Sequence, residues 1–309
     1  MSGAARIQLE QDSPNPPRRG LRKGVYLIPS VFTALNIGLG FFSVMSSLRG
    51  FQSLAGQLPD LTSAANHFDD AAMAIGGAVL CDMLDGRIAR MTKTTTEIGI
   101  QLDSIADVVS FGLAPAVLAY VWGYGASLTE GTNLHRLAWF ISFMYLMCGA
   151  FRLARFNVQA SRPRIIAAGT LKVDKKSFVG LPIPVAGCLI AAIVHFAPTP
   201  LVAFGPERAE IYSGLLMLLV GVLSAMMVST LRFSSFKTVG TRTRSMRTII
   251  FVVGIGMLIF LYSRYVLLAL AVAYILHGLL SRLIGMFWRR PDSVETKIEP
   301  NTARHRSQL

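Results

Sequence analysis

Four aspartates are the residues best suited to chemistry in this chain: Asp82, Asp85, Asp103 and Asp107. All four fall inside otherwise apolar stretches. An ionised carboxylate within a membrane span costs ~2.5–3.5 kcal/mol even on the gentler scale, so four of them demand compensation. On helices, the i, i+3 pair Asp82/Asp85 and the i, i+4 pair Asp103/Asp107 each share one face. The short polar connection from Thr92 to Glu97 predicts antiparallel neighbouring helices, with both pairs facing each other near one end. All-oxygen ligands suit hard divalent cations such as Mg²⁺ or Mn²⁺, and no Cys or His stands nearby to favour zinc. Two such ions ~3.5–4 Å apart would clamp a phosphoryl group and stabilise both its attacking and its leaving oxygen. The competing reading pairs the aspartates with Arg87, Arg90 and Lys93 as structural ion pairs. Gly86, Ala89 and Gly99 are small enough for a ligand, or simply another helix, to approach the backbone closely. Arg90 could grip a phosphate with its fork of donors, or serve only as a basic residue at the membrane edge.

The elements that must carry these groups are membrane helices. Of 309 residues, 52% are hydrophobic and 15% charged, against about 25% charged in a soluble domain. Eight apolar segments are expected, at 27–48, 71–91, 98–122, 137–157, 179–198, 211–231, 248–263 and 265–287. Of the 30 Lys and Arg, only Arg49, Arg136, Arg208 and Arg264 fall on one side of the threading these segments imply. That asymmetry predicts an even number of spans with both termini cytoplasmic. The net charge of +13 therefore marks a membrane face that meets anionic lipid, and nucleic acid is not an expected partner. The predicted organisation is a basic tail over 1–24, one transmembrane domain over 25–288, and a disordered polar tail over 289–309. Cys81, Cys148 and Cys188 lie in apolar runs without any metal-binding spacing, and the five histidines are scattered.

The run Asp82-x2-Asp85-Gly86-x2-Ala89-Arg90-x8-Gly99-x3-Asp103-x3-Asp107 resembles, at every fixed position, the signature of the CDP-alcohol phosphotransferases. A chance match at a given start has a probability on the order of 10⁻¹⁰ at average residue frequencies. The resemblance implies an all-α integral membrane enzyme in which the four aspartates ligate two divalent cations, Mg²⁺ or Mn²⁺. It implies that Asp107 is also the general base for the acceptor hydroxyl. It further implies that Gly86, Ala89, Arg90, Thr96 and Gly99 line the site for CDP-diacylglycerol.

Several flanking segments resemble the branch of that family whose acceptor is serine. They are Leu27–Ser30 with Thr33 and Asn36, Phe151–Asn157, Phe178–Pro182, and Ser229–Phe233 followed by Ser235–Lys237. Ser30 departs from the Asn more usual there. The reaction implied is transfer of a phosphatidyl group from CDP-diacylglycerol to serine, releasing CMP. Arg152 and Arg155, at the cytoplasmic end of the fourth segment, are either basic anchors or contacts to substrate carboxylate or phosphate. Gly180, Pro182 and Pro184, where the fifth segment begins, either simply cap or kink the span or form a broken turn that exposes backbone groups to a polar acceptor. The resemblance also implies a location in the inner (cytoplasmic) membrane, a site facing the cytoplasm, and a homodimer. The nearest rival acceptor is glycerol-3-phosphate. A cation transporter would instead spread its carboxylates over several helices near the bilayer midplane.

Overall fold

The computed structural model describes residues 19–55, 58–92, 97–161, 177–229, 232–234, 262–276 and 280. Helix α1 covers Arg19–Leu54 and α2 covers Leu61–Thr92. Helix α3 is a continuous rod of alternating winding. It comprises an α-helical stretch Glu97–Asp107, a π-helical stretch Val108–Leu113, an α-helical stretch Ala114–Ala119 and a second π stretch Tyr120–Gly125. Helices α4 (Asn133–Ser161), α5 (Ile183–Phe196), α6 (Pro206–Val228) and α7 (Tyr262–Leu276) follow.

Helices dominate because apolar runs in hydrocarbon must satisfy every backbone N–H and C=O internally. Four segments are long and apolar enough to cross a membrane: Val31–Leu54, Ile98–Gly125, Asn133–Val158 and Pro206–Val228. Helices α5 and α7 are apolar but shorter, and α2 carries too many charges to read as a plain span. The protein is thus an integral membrane protein of helical architecture. Each of the first six expected segments contains a helix. The seventh lies outside the described residues but for its last two, and α7 holds part of the eighth. The tails expected over 1–24 and 289–309 also fall outside, except that α1 already begins at Arg19.

Two departures from an all-helical chain are local. Ser177–Val179 (β1) pairs antiparallel with Arg232–Ser234 (β2), Phe178 opposite Phe233. Between β1 and α5 the chain makes a broken turn, the second of the two alternatives the glycine and prolines left open. Gly180 is left-handed at φ +84°, and Leu181 N–H donates to Met226 O at 3.1 Å. A Cβ on Gly180 would collide with the carbonyl oxygen of Met227. Glycine is therefore required twice here, by conformation and by space.

Helix α1 is the organising strut. It packs along α2 in the most extensive helix contact and also touches the first stretch of α3, whereas α2 and that stretch make only slight contact with each other. Its inward face is polar and small: Thr33, Asn36, Ser43, Ser46 and Ser47 are all buried. Small residues let helices approach closely in a membrane. A Cβ at Gly40 would stand 2.5 Å from Ser110 Oγ. The apolar core of Phe68, Ile75, Phe111, Leu118, Tyr145, Ile183, Ile190, Leu223 and Met227 ties α2 through α6 together. Phe41, Phe42, Trp139, Phe140, Phe143, Leu215 and Leu218 remain exposed, as lipid-facing positions do.

Candidate active site

The aspartates of α2 and α3 meet over α1. One carboxylate oxygen from each of Asp82, Asp85 and Asp103 lies within 4.8 Å of the others. Asp85 is almost fully enclosed, while Asp82 and Asp103 are half-buried. The donor set fits a hard divalent cation. Oxygens on opposite sides of a Mg²⁺ ion stand about 4 Å apart, so small side-chain movements would close this triplet on one. No other group of three or more acidic, His or Cys side chains with that proximity occurs among the described residues.

Asp107 stands apart from the triplet, one helical turn deeper along α3. Among the described residues its carboxylate senses the charges of Asp82, Asp103, Asp85 and Arg152. Its Oδ1 is buried and accepts no hydrogen bond among the described residues. The π stretch begins at the very next residue. Such widened turns free backbone carbonyls for other donors. Here the Tyr145 hydroxyl donates to Phe111 O at 3.1 Å, and Ser110 Oγ donates to Asn36 O at 2.8 Å. Both bonds clamp the segment that holds Asp107.

Helix α1 supplies the surroundings that the carboxylate spacing alone did not assign. Thr33 Oγ1 donates to Asp85 Oδ2 at 3.2 Å, and the Gly86 amide donates to the same carboxylate. One turn along α1, Asn36 is fully buried, yet neither its amide oxygen nor its amide nitrogen has a partner among the described residues. A doubly orphaned buried amide is expensive, and functional sites are where such groups persist. The signal for Thr33 and Asn36 was present in sequence as two polar residues at i, i+3 in an apolar run. Only their contacts reveal what that face meets.

The remaining expected site residues divide. Gly86 lies on α2 beside Asp85, and Gly99 lies in the exposed first turn of α3. Ala89 and Arg90 belong to the last turns of α2, with their side chains outside the described residues, and Thr96 lies outside them altogether. Arg152 enters the site. It is half-buried on α4 beside Asp107, and its Nε makes no hydrogen bond among the described residues. Arg155, one turn further along α4, is also half-buried. Asn157 Nδ2 donates to Ser104 Oγ at 2.8 Å and fixes α4 against α3.

An acidic cluster carried on apolar helices, four of whose segments are long enough to cross a membrane, defines an integral membrane protein with a polar carboxylate site. The chain belongs to the CDP-alcohol phosphatidyltransferase family, whose sequence profile matches residues 26–209. It is 33% identical over 221 residues to a CDP-diacylglycerol–serine O-phosphatidyltransferase of Helicobacter pylori, covering 70% of this chain and 75% of that protein. A yeast protein of the same name, from Saccharomyces cerevisiae, is 35% identical over 164 residues, or 53% of this chain and 51% of that one. The archaetidylserine synthase of Methanothermobacter thermautotrophicus is 29% identical over 218 residues, covering 70% and 73%.

Proposed function

We propose that this membrane enzyme transfers the phosphatidyl group of CDP-diacylglycerol to L-serine, giving phosphatidylserine and CMP. The observation that carries the reading is the triplet of carboxylates, with Asp107 one helical turn further along α3. The names borne by relatives similar over most of their length support serine as the acceptor.

In this mechanism Asp82, Asp85, Asp103 and Asp107 would hold two divalent cations, Mg²⁺ or Mn²⁺. When bound, these ions neutralise the diphosphate and stabilise charge on the departing CMP oxygen. Gly86, Ala89, Gly99, Thr96 and Arg90 line the nucleotide side, where small residues admit the diphosphate and Arg90 presents paired donors. A serine hydroxyl is a weak nucleophile at neutral pH, so a positioned base must take its proton as it attacks. Asp107 has the free oxygen for that task. The serine oxygen forms its bond to the β-phosphorus, the bond from that phosphorus to the CMP oxygen breaks, and the proton rests on Asp107. Arg152, beside Asp107, meets the serine carboxylate, and Arg155 adds positive charge at the mouth.

Orientation follows from the charges. The aspartates, Arg152 and Arg155 lie toward one end of the bundle. Arg49, Arg136, Arg208 and Arg264 lie toward the other, near the end of α1 and the starts of α4, α6 and α7. The positive-inside rule then puts the site on the cytoplasmic side of the inner membrane, with eight spans and both termini cytoplasmic. The lipid tails stay in the cytoplasmic leaflet while the headgroup reaches the aspartates of α2 and α3. The fold of a single chain lends no support to a homodimer.

The test is CMP release by purified protein in detergent, given CDP-diacylglycerol and Mg²⁺ or Mn²⁺, with serine, glycerol-3-phosphate, inositol-phosphate or no acceptor. Release that requires both metal and serine is the expected result. Release driven by glycerol-3-phosphate overturns the acceptor and keeps the reaction class. No release with any acceptor from folded protein overturns the enzyme reading.

A further inference from the structure

At the end of the bundle opposite the aspartates, the last turns of α3 and the first turns of α4 border a cavity of about 330 Å³, lined by Tyr120, Gly131, His135, Arg136 and Trp139. Tyr120 stands about three turns along α3 from Asp107, so the cavity is separate from the carboxylate site. On its wall the Tyr120 hydroxyl and His135 Nε2 are 2.7 Å apart. His135 Nδ1 is buried and has no hydrogen-bond partner among the described residues. A lone acceptor is tolerated in such a place more readily than a lone N–H donor. The favoured tautomer therefore keeps its proton on Nε2 and donates it to the Tyr120 oxygen. That leaves the phenol proton for an acceptor in the cavity.

Arg136 brings the charge. It is exposed and pairs with no carboxylate among the described residues, Glu130 in the preceding turn included. An unpaired guanidinium is a fork of donors that suits two phosphate oxygens at once. From Arg136 onward the same face of α4 turns apolar. Trp139, Phe143 and Met147 follow at i+3, i+7 and i+11, and all three are exposed. Trp139 and Phe143 stack with their ring planes 8° apart and centroids 5.6 Å apart. From Arg136 to Met147 the stripe rises ~16 Å, close to the ~15 Å of hydrocarbon in one leaflet. Helix α4 is one of the segments long enough to cross a membrane. The stripe therefore meets acyl chains, and the cavity sits at its interfacial end. A soluble phosphate needs only the cavity, whereas a cationic cavity continued by an apolar stripe one leaflet long matches a phospholipid.

We propose that this cavity seats the phosphodiester of an anionic phospholipid in the leaflet opposite the aspartates, with one acyl chain along Trp139, Phe143 and Met147. Arg136 and the Tyr120 hydroxyl donate to the phosphate oxygens. A zwitterionic headgroup carries its own ammonium, which competes with Arg136 for the same phosphate, so the site prefers lipids without one. The site stands apart from the transfer reaction and does not depend on which alcohol accepts the phosphatidyl group.

The test uses the full-length protein in lipid nanodiscs doped with phosphatidylglycerol or phosphatidylcholine, each bearing a photoactivatable diazirine on one acyl chain. Crosslinked residues are mapped by peptide mass spectrometry, which separates this site from anionic lipid held by basic residues elsewhere. Phosphatidylglycerol should label the stretch 136–147 about fivefold more than phosphatidylcholine, the effect of one arginine near a membrane surface. Arg136→Gln should abolish that preference while labelling elsewhere stays within about twofold, as for sites too distant to couple. Excess inorganic phosphate should leave the labelling unchanged. Equal labelling by the two lipids in the wild type overturns the inference without recourse to any variant. A preference that survives Arg136→Gln overturns it too. Labelling displaced by inorganic phosphate also overturns it, because the cavity would then be a site for a soluble phosphate.

Discussion

Replacing Thr33 with valine keeps the branched shape of the side chain and removes the hydroxyl that donates to Asp85. Thr33 Oγ1 donates to Asp85 Oδ2 at 3.2 Å, in a setting where Asp85 is only 4% exposed. Hydrogen bonds to charged groups contribute about 1.5–3 kcal/mol. This one is long for a hydroxyl donor, whose usual distance is about 2.7–2.8 Å, so the lower end applies. The Gly86 amide continues to donate to the same carboxylate and limits the loss further. About 1.4 kcal/mol is tenfold in affinity, so half-saturation by Mg²⁺ or Mn²⁺ should move up about tenfold. Substitutions of outer-shell partners at metal sites generally cost about 10–100-fold in metal affinity or activity, and this value sits at the bottom of that range. The assay is CMP release against metal concentration, alongside a thermal melt in the same detergent. At saturating metal the turnover should return to within about threefold of wild type. An unchanged metal requirement in a stable protein would refute the reasoning, because Asp85 would then not be a ligand whose donors matter.

Asp107→Asn should reduce kcat by ~10²–10⁴ while CDP still binds, measured by CMP release and by calorimetry with CDP. Loss of CDP binding in parallel would make Asp107 a ligand only and not a base. Gly180→Ala should destabilise the fold by at least ~1–2 kcal/mol for the left-handed backbone alone, with a further penalty from the Met227 carbonyl in its path. The readout is a lowered melting temperature, and an unchanged one would mean that the β1–α5 turn is not held as described. Tyr145→Phe should lower stability by ~0.5–1.5 kcal/mol and slow turnover modestly, since its bond to Phe111 O clamps the π stretch next to Asp107. A stability loss with untouched kinetics would restrict that bond to a packing role.

Much of the site was legible because membranes make polar residues conspicuous. Four aspartates in apolar runs stand out through their desolvation penalty, and their i, i+3 and i, i+4 spacing places each pair on a helix face whatever the rest of the chain does. The triplet of Asp82, Asp85 and Asp103 follows that reasoning. The separation of Asp107 from the triplet does not, because both Asp103 and Asp107 satisfy the same periodicity. Spacing also suggested direct packing of α2 on the start of α3. In the fold α1 makes the more extensive contact with the start of α3, and α2 meets α3 further along, at Val108–Leu113 and Ala114–Ala119. Glycine and proline at 180, 182 and 184 left open a cap, a kink or a broken turn, and the fold takes the turn. That β1 and β2 flank it could not be read, since a three-residue strand carries too little periodicity to register.

The sequence by itself determined the class of molecule, the family and the carboxylates. Each of these rests on local quantities: transfer free energy per residue, helix period and a fixed motif. Tertiary structure alone decided which distant groups surround the carboxylates. Thr33 meets Asp85 across 52 positions, Asn157 meets Ser104 across 53, and His195 reaches back to Asp69 across 126 positions. Helical period fixes which face a residue occupies but not which helix will cover that face. Hydrocarbon is as apolar as a Leu side chain, so the hydrophobic effect does not choose among helix partners inside a membrane. The choice falls to close packing of small residues and to a few hydrogen bonds such as Ser110 to Asn36, which come into being only when the bundle assembles.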